Sequence, residues 1–190
     1  MQWRNSTDSY GLIGRLLHWL VAVTVFGLFG LGIWMRGLDY YSSWYRAAPE
    51  IHKSIGMLLF GQMLVRVAWR FFSPGPAPLA SHGSLVQVAT RLMHELLYLG
   101  LFAVMIAGYL ISTADGRSIE VFGWFAVPAS VTSLANQADL AGMIHKYLAW
   151  LLVILAALHA LAALKHHFID RDSTLLRMAG RVSKAQVSIR

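Results

Sequence analysis

The stretch "MIHKYLAWLLVILAALHALAALKHH", residues 143–167, decides how the chain is read. It is apolar enough for a bilayer or a deep core, yet His145 and His159 interrupt it. Fourteen residues at about 100° and about 1.5 Å each make almost four turns, so both side chains share one helix face, roughly 21 Å apart. A polar side chain at membrane depth is costly and points by default to function. Two on one face, one near each end, call for a single explanation.

Composition widens the argument from this helix to the whole chain. Of 190 residues, 57% are hydrophobic and 13% charged, with a mean hydropathy of +0.54. Soluble domains carry about 25% charged residues, so this is a membrane-protein composition. Four runs reach the roughly 20 residues that a crossing needs: 12–35, 51–72, 92–111 and 140–164. The first is too long for a signal h-region and lacks a clear small-residue cleavage site, so it is expected to be a retained span. The loop "SPGPAPLASHGS" separates the second and third runs, because Pro74, Pro76 and Pro78 remove backbone donors. With no cysteine, disulfides, iron–sulfur clusters and thiolate sites are excluded.

Lys and Arg set the expected orientation. With the N-terminus inside, that side holds eleven: Arg4, Arg15, Arg66, Arg70, Arg91, Lys165, Arg171, Arg177, Arg181, Lys184 and Arg190. The other side holds five: Arg36, Arg46, Lys53, Arg117 and Lys146. The positive-inside rule then puts both termini in the cytoplasm, and it accounts for the net charge of +7 without nucleic acid. Tyr40, Tyr41, Trp44 and Tyr45 form one interfacial belt, and Trp69, Phe71 and Phe72 the other. The expectation is an all-α, four-helix transmembrane bundle running up-down-up-down. It forms one domain over residues 1–190, with residues 165–190 as a cytoplasmic tail.

On this topology the histidines fall into two layers. His52 and His145 lie at the outer level, and His159 lies at the inner level with His18 or His94. Facing neutral imidazoles in an apolar bundle are what bis-histidine haem iron requires. Gly32 and Gly108 lie fourteen residues after His18 and His94, on the same faces but at the outer depth, where they leave room. His82, His166 and His167 fall outside the apolar runs and are expected to be solvated or interfacial. Zinc, nickel, copper or a proton relay would also use histidine. Such sites usually recruit carboxylates, however, and Glu95 is the single acid within a span. Neither HExxH nor GxSxG is present, so a zinc protease and a serine hydrolase lack their signatures.

At these residues the sequence resembles the bacterial cytochrome b561 family. The strings that carry the likeness are "GLIGRLLHWL", "PEIHKSIGMLL", "RLMHELLYLGLF", "GYLISTADGRSIEVFGWF", "AGMIHKYLAW" and "LHALAALKHHFIDRDSTLLRM". The resemblance implies a multi-pass inner-membrane cytochrome with two b-type haems. By it, His18 and His159 ligate the inner iron, His52 and His145 the outer one, and His94 becomes a haem or quinone neighbour. It further implies ubiquinone or ubiquinol as a partner, with superoxide or a periplasmic redox protein at the outer face.

Iron with two axial histidines has no open position, so the expected chemistry is outer-sphere electron transfer. Both outer histidines sit in the tripeptide "IHK", which places Lys53 and Lys146 to meet propionates or to form a basic mouth. Simple snorkelling to the membrane surface explains each lysine singly as well. Arg66 lies fourteen residues after His52, on its face but at the inner depth, and there it needs an anion; Arg15 and Arg70 are its neighbours in this role. The stretch "VFGWFAVPA" is expected to lie in the interface and cap the outer level. Two rivals stand beside this reading: a cytochrome b anchor subunit of a larger redox enzyme, and a histidine-based metal or proton permease.

Overall fold

The computed structural model describes residues 2–79, 81–132 and 134–180. The chain folds into four long helices, α1 (Leu12–Met35), α2 (Ala47–Phe72), α3 (Ser84–Thr113) and α4 (Gln137–Phe168), then a short α5 (Thr174–Ala179). All four long helices have the length and apolarity to cross a membrane. The expected spans lie inside these helices, and the differences are at the ends. α3 begins eight residues before its span because "SLVQVATR" is helical without being apolar throughout. α4 runs on through Lys165, His166 and His167, basic residues that suit the negative end of a helix dipole. Pro49 sits in the first turn of α2, where its missing N–H interrupts no helical bond.

α1 packs mainly on α2, and α3 on α4, while α1 and α4 meet only lightly. The shared core is small: Leu59 and Met63 from α2, Leu101 and Val104 from α3, and Leu152 from α4. Most other large apolar side chains point outward, Leu16, Val23, Leu99 and Leu161 among them. That is the inside-out arrangement of a bundle solvated by lipid. With little apolar contrast between core and surroundings, close packing and polar contacts hold the helices together.

The connections gather at two ends. At the tail end, Arg177 of α5 donates to the carbonyls of Asp8 (2.7 Å), Ala77 (3.0 Å) and Thr7 (3.3 Å). Asn5 donates to the Ser73 carbonyl at 2.7 Å, so the N-terminal segment, the α2–α3 loop and α5 form one cap. Arg181, Lys184 and Arg190, counted above among the inner charges, lie outside the described residues.

At the opposite end a short hairpin is added to the helical bundle. "VFGWFAVPA" belongs to an antiparallel hairpin, β1 (Ile119–Val121) with β2 (Phe125–Val127), in which Val121 pairs with Phe125. Its turn has Phe122 and Gly123 both at positive φ (50° and 72°), the condition of a type I′ hairpin turn. The Ser54 hydroxyl on α2 donates to the Glu120 carbonyl and accepts from the Phe122 N–H, each at 3.2 Å. Ile119 and Val121 are buried beneath this clamp.

Candidate functional site

Two layers of histidine occupy the bundle interior. At the hairpin end, His52 of α2 faces His145 of α4 with ring centroids 6.2 Å apart. At the tail end, His18 of α1 lies 6.4 Å from His159 of α4, and His94 of α3 lies 5.2 Å from the same ring. An imidazole bound end-on has its centroid about 3 Å from the metal, so two rings across one ion stand about 6 Å apart. The first two distances suit that arrangement. The His94–His159 distance is too short for it, and His94 is better read as flanking the layer.

The hairpin-end pair lines a cavity of about 790 Å³, within the range of cofactor pockets. Its walls are apolar, from Leu28, Phe29, Met57, Leu101 and Trp150, and two glycines open it beside the rings. A Cβ on Gly108 would lie 3.0 Å from His145 Cε1, and one on Gly32 would lie 3.4 Å from His52 Cε1. His145 is already oriented. Its Nδ1 donates to the Val104 carbonyl at 2.8 Å, which leaves the Nε2 lone pair directed away from that bond. His52 Nδ1, by contrast, is buried without a partner among the described residues. Room, apolar walls, glycine clearance and two imidazoles fit a flat, metal-centred macrocycle.

The mouth of this cavity is basic, lined by Arg36, Lys53, Arg117 and Lys146 together with Asp115. Lys53 pairs with Glu50 at 2.6 Å, and Lys146 sits 5.5 Å above the Tyr147 ring. Side-chain and backbone hydrogen bonds from Arg117 hold the Asp115 carboxyl below the usual carboxylate range.

The tail-end layer is organised by Arg66. It donates to Tyr98 Oη at 2.8 Å and to His18 Nδ1 at 3.1 Å, while its Nη1 is buried with no partner among the described residues. A guanidinium only donates, so His18 Nδ1 accepts and Nε2 carries the proton, the reverse of His145. Arg70 joins Arg66 against the Tyr98 ring, both at 5.7 Å. Beside them a cleft of about 340 Å³ is lined by Val67, Arg70, Phe71, His94, Glu95 and Tyr98. Tyr98 escaped sequence reasoning, although it lies one turn beyond His94 on the same helix face. Arg15 has a buried Nε without a partner among the described residues.

The structure adds detail to two further expectations. His82 and His166 are not solvated singly: their side chains are 15% and 17% exposed and both approach Asp172, itself 9% exposed. Burial works against the Asp172 carboxylate, yet bonds from the Thr174 N–H and His82 hold it below its usual range. The stretch near residue 122, expected to cap the outer level from the interface, takes the form of the hairpin described above.

Comparison with known proteins agrees with this architecture. Residues 9–181 match the sequence model of "Prokaryotic cytochrome b561". The chain is 52% identical to the Escherichia coli K12 protein named Cytochrome b561 homolog 2, over 96% of this chain and 97% of that one. It is 31% identical to Cytochrome b561 homolog 1 of the same strain, covering 87% of this chain and 93% of the relative. It is 30% identical to a Yersinia pestis protein named Probable superoxide oxidase CybB, covering 85% and 90% respectively. A histidine-layered bundle of four membrane-spanning helices, matched along almost its whole length, belongs to the prokaryotic cytochrome b561 family of haem b electron-transfer proteins of the bacterial inner membrane.

Proposed function

We propose that the protein is a di-haem cytochrome that moves electrons across the inner membrane between its hairpin end, facing the periplasm, and ubiquinone. The observation that carries this reading is the pair of facing histidine distances, 6.2 Å for His52–His145 and 6.4 Å for His18–His159, one at each level of the bundle. His52 and His145 would hold one haem b, and His18 and His159 the other. Bound there, haem would supply one-electron chemistry.

The remaining residues tune and connect these levels. The Val104 carbonyl fixes the tautomer of His145. Arg66 and Arg70 keep positive charge at the tail-end level, which favours the reduced state there and draws electrons toward it. The cleft beside His94 and Glu95 offers an apolar wall and two proton-carrying groups, the features that a quinone head group needs as it takes up electrons and protons. The excess of Lys and Arg at the tail end supports a cytoplasmic position for it.

A superoxide-oxidising role is the specific form that the hairpin end favours. Arg36, Lys53, Arg117 and Lys146 around the cavity mouth would steer a small anion, and one relative bears the name of a probable superoxide oxidase.

The test is a reduced-minus-oxidised spectrum of detergent-purified protein with haem quantified per chain. Two low-spin b haems support the reading, and superoxide-driven quinone reduction would give it direction. A colourless chain that cannot be loaded with haem would overturn it and favour a histidine-based permease. Co-purification of a soluble redox subunit would instead favour an anchor role.

A further inference from the structure

His82, His166 and Asp172 come from three separate segments of the tail end: the α2–α3 loop, the last turn of α4, and the α4–α5 connection. His82 Nε2 lies 2.7 Å from Asp172 Oδ2, and His166 Nδ1 lies 3.9 Å from the same oxygen. All three ligand atoms fall within 4.8 Å of one another. A tetrahedral ion with bonds of about 2.0–2.2 Å separates its ligand atoms by about 3.3 Å, and the two distances bracket that value.

Each of the three groups is held by bonds of its own. Gln87 Nε2 donates to the His82 carbonyl at 2.8 Å. The Thr174 N–H donates to Asp172 Oδ1 at 2.8 Å, and the Asp172 N–H donates back to the His166 carbonyl at 3.1 Å. Arg171, at φ 54°, adopts the left-handed conformation where the chain turns back after α4. A non-glycine residue there is uncommon and marks a constrained backbone. The two imidazole rings lie 4.7 Å apart and tilted by 38°, so both reach the one carboxylate from the same side.

We propose that His82, His166 and Asp172 form a divalent transition-metal site that staples the α2–α3 loop and the α5 segment to the end of α4. Two imidazoles and one carboxylate without thiolate select ions such as Zn²⁺, Ni²⁺ or Co²⁺ over Mg²⁺ or Ca²⁺. Neutral imidazoles leave the set with a single negative charge in a partly desolvated place, which a dication more than offsets. Asp170 is the rival for His166 Nδ1: its Oδ2 lies 2.7 Å from that nitrogen while Lys165 contacts the same carboxylate at 2.6 and 2.9 Å, so the ion must displace Asp170 from His166. A fourth position is left for water. The site is separate from the interior histidine layers: His166 lies seven residues beyond His159, two turns or roughly 10 Å along α4. The ion would reinforce segments that the bonds of Arg177 to Ala77 and Asp8 already hold in one cap.

The experiment uses the full haem-loaded protein in detergent, carrying no polyhistidine tag and stripped with a chelator. Zn²⁺ binding is measured by equilibrium dialysis with elemental analysis of zinc and iron. One zinc per chain is expected. Groups that only hydrogen-bond to a metal ligand are worth about 10–100-fold in metal affinity, so His166→Gln or Asp172→Asn, which remove a direct ligand, should weaken binding by on the order of a hundredfold or more. Iron and haem per chain should stay unchanged in both variants. Zinc should also slow tryptic cleavage after Arg171 and Arg177 in the wild type and not in the variants. Absence of stoichiometric zinc in the wild type, or equal binding by the variants, would overturn the site and leave the cluster as an ion-pair network. Because haem is counted separately, failure of the electron-transfer reading would be seen independently of this one.

Discussion

The two histidine levels of the bundle use the same side chain in opposite states of preparation. At the hairpin end, His145 gives its Nδ1 proton to a backbone carbonyl and stands against a glycine that leaves it space. At the tail end, His18 Nδ1 accepts from Arg66 instead, and three histidines share the room. A ligand to iron must offer a bare Nε2, so on the proposed reading the first level would need no rearrangement of His145 to bind haem. For His18 to bind iron as proposed, the second would have to release the Arg66–His18 bond, which would free the guanidinium for an anion such as a propionate. One level is organised by backbone and clearance, the other by charge.

The largest effects should come from the histidines themselves. His52→Ala, His145→Ala and His159→Ala should each remove one of two haems per chain, halving the absorbance of the reduced α-band per mole of protein. The tail end allows a sharper contrast. His18→Ala should lose a haem, whereas His94→Ala should keep both, because its ring stands too near His159 to bind across one iron. The reverse result would assign His94 as the ligand and undo the distance argument. With haem retained, His94→Ala and Glu95→Gln should instead raise the KM for quinone, measured by steady-state reduction.

Next in size is Gly108→Ala. Its new Cβ would meet His145 Cε1 at 3.0 Å and Nδ1 at 3.1 Å, disturbing both the ring and its bond to Val104. Overpacking of this kind costs about 1–3 kcal/mol. Gly32→Ala, with 3.4 Å to His52, should be milder. Haem retention after heating should therefore fall in the order wild type, Gly32→Ala, Gly108→Ala. Equal retention in all three would mean that clearance does not matter at this level.

Much of this was legible in the sequence because the bilayer imposes simple rules. Apolar length gives the spans, and a fourteen-residue interval returns to the same helix face four turns on, which is enough to align His145 with His159 and Gly108 with the opposite level. Details governed by contacts between segments were not legible. The meeting of His82 with Asp172 depends on a loop folding back over ninety residues of chain, with no periodicity to announce it. The hairpin was hidden for a different reason. Its strands are three residues each, too short for an alternating pattern to stand out, and its turn relies on Phe122 in a conformation that the residue type disfavours. Tyr98 illustrates the intermediate case: its helix face was readable, but its partner Arg66 lies on another helix.

Replacing the charge at the tail end tests the contrast between the levels through redox potential. Arg66→Gln removes a cation that sits 3.1 Å from His18 and keeps a donor of similar reach. At an effective dielectric near 20, a unit charge several ångströms from the redox centre shifts its potential by on the order of a hundred millivolts. The midpoint of one haem should fall by about that much and the other should hardly move, read by spectroelectrochemical titration. A shift shared by both would mean that the arginine acts through the whole bundle. No shift would mean that a propionate already neutralises it.

The smallest effect is expected at the hairpin. Ser54→Ala removes one hydroxyl that both donates to Glu120 and accepts from Phe122, so the β-turn loses its anchor on α2 while both histidine levels keep theirs. A hydrogen bond of this kind contributes about 1 kcal/mol. Haem content should be unchanged. Amide exchange at residues 119–127 should rise several-fold with no change in the tail-end cap. If the hairpin shields the cavity mouth, ascorbate or superoxide should also reach the hairpin-end level faster in Ser54→Ala than in the wild type, while quinone kinetics at the other end stay the same. Equal access in both proteins would reduce the hairpin to a membrane-surface anchor, and the basic mouth alone would then govern which anions arrive.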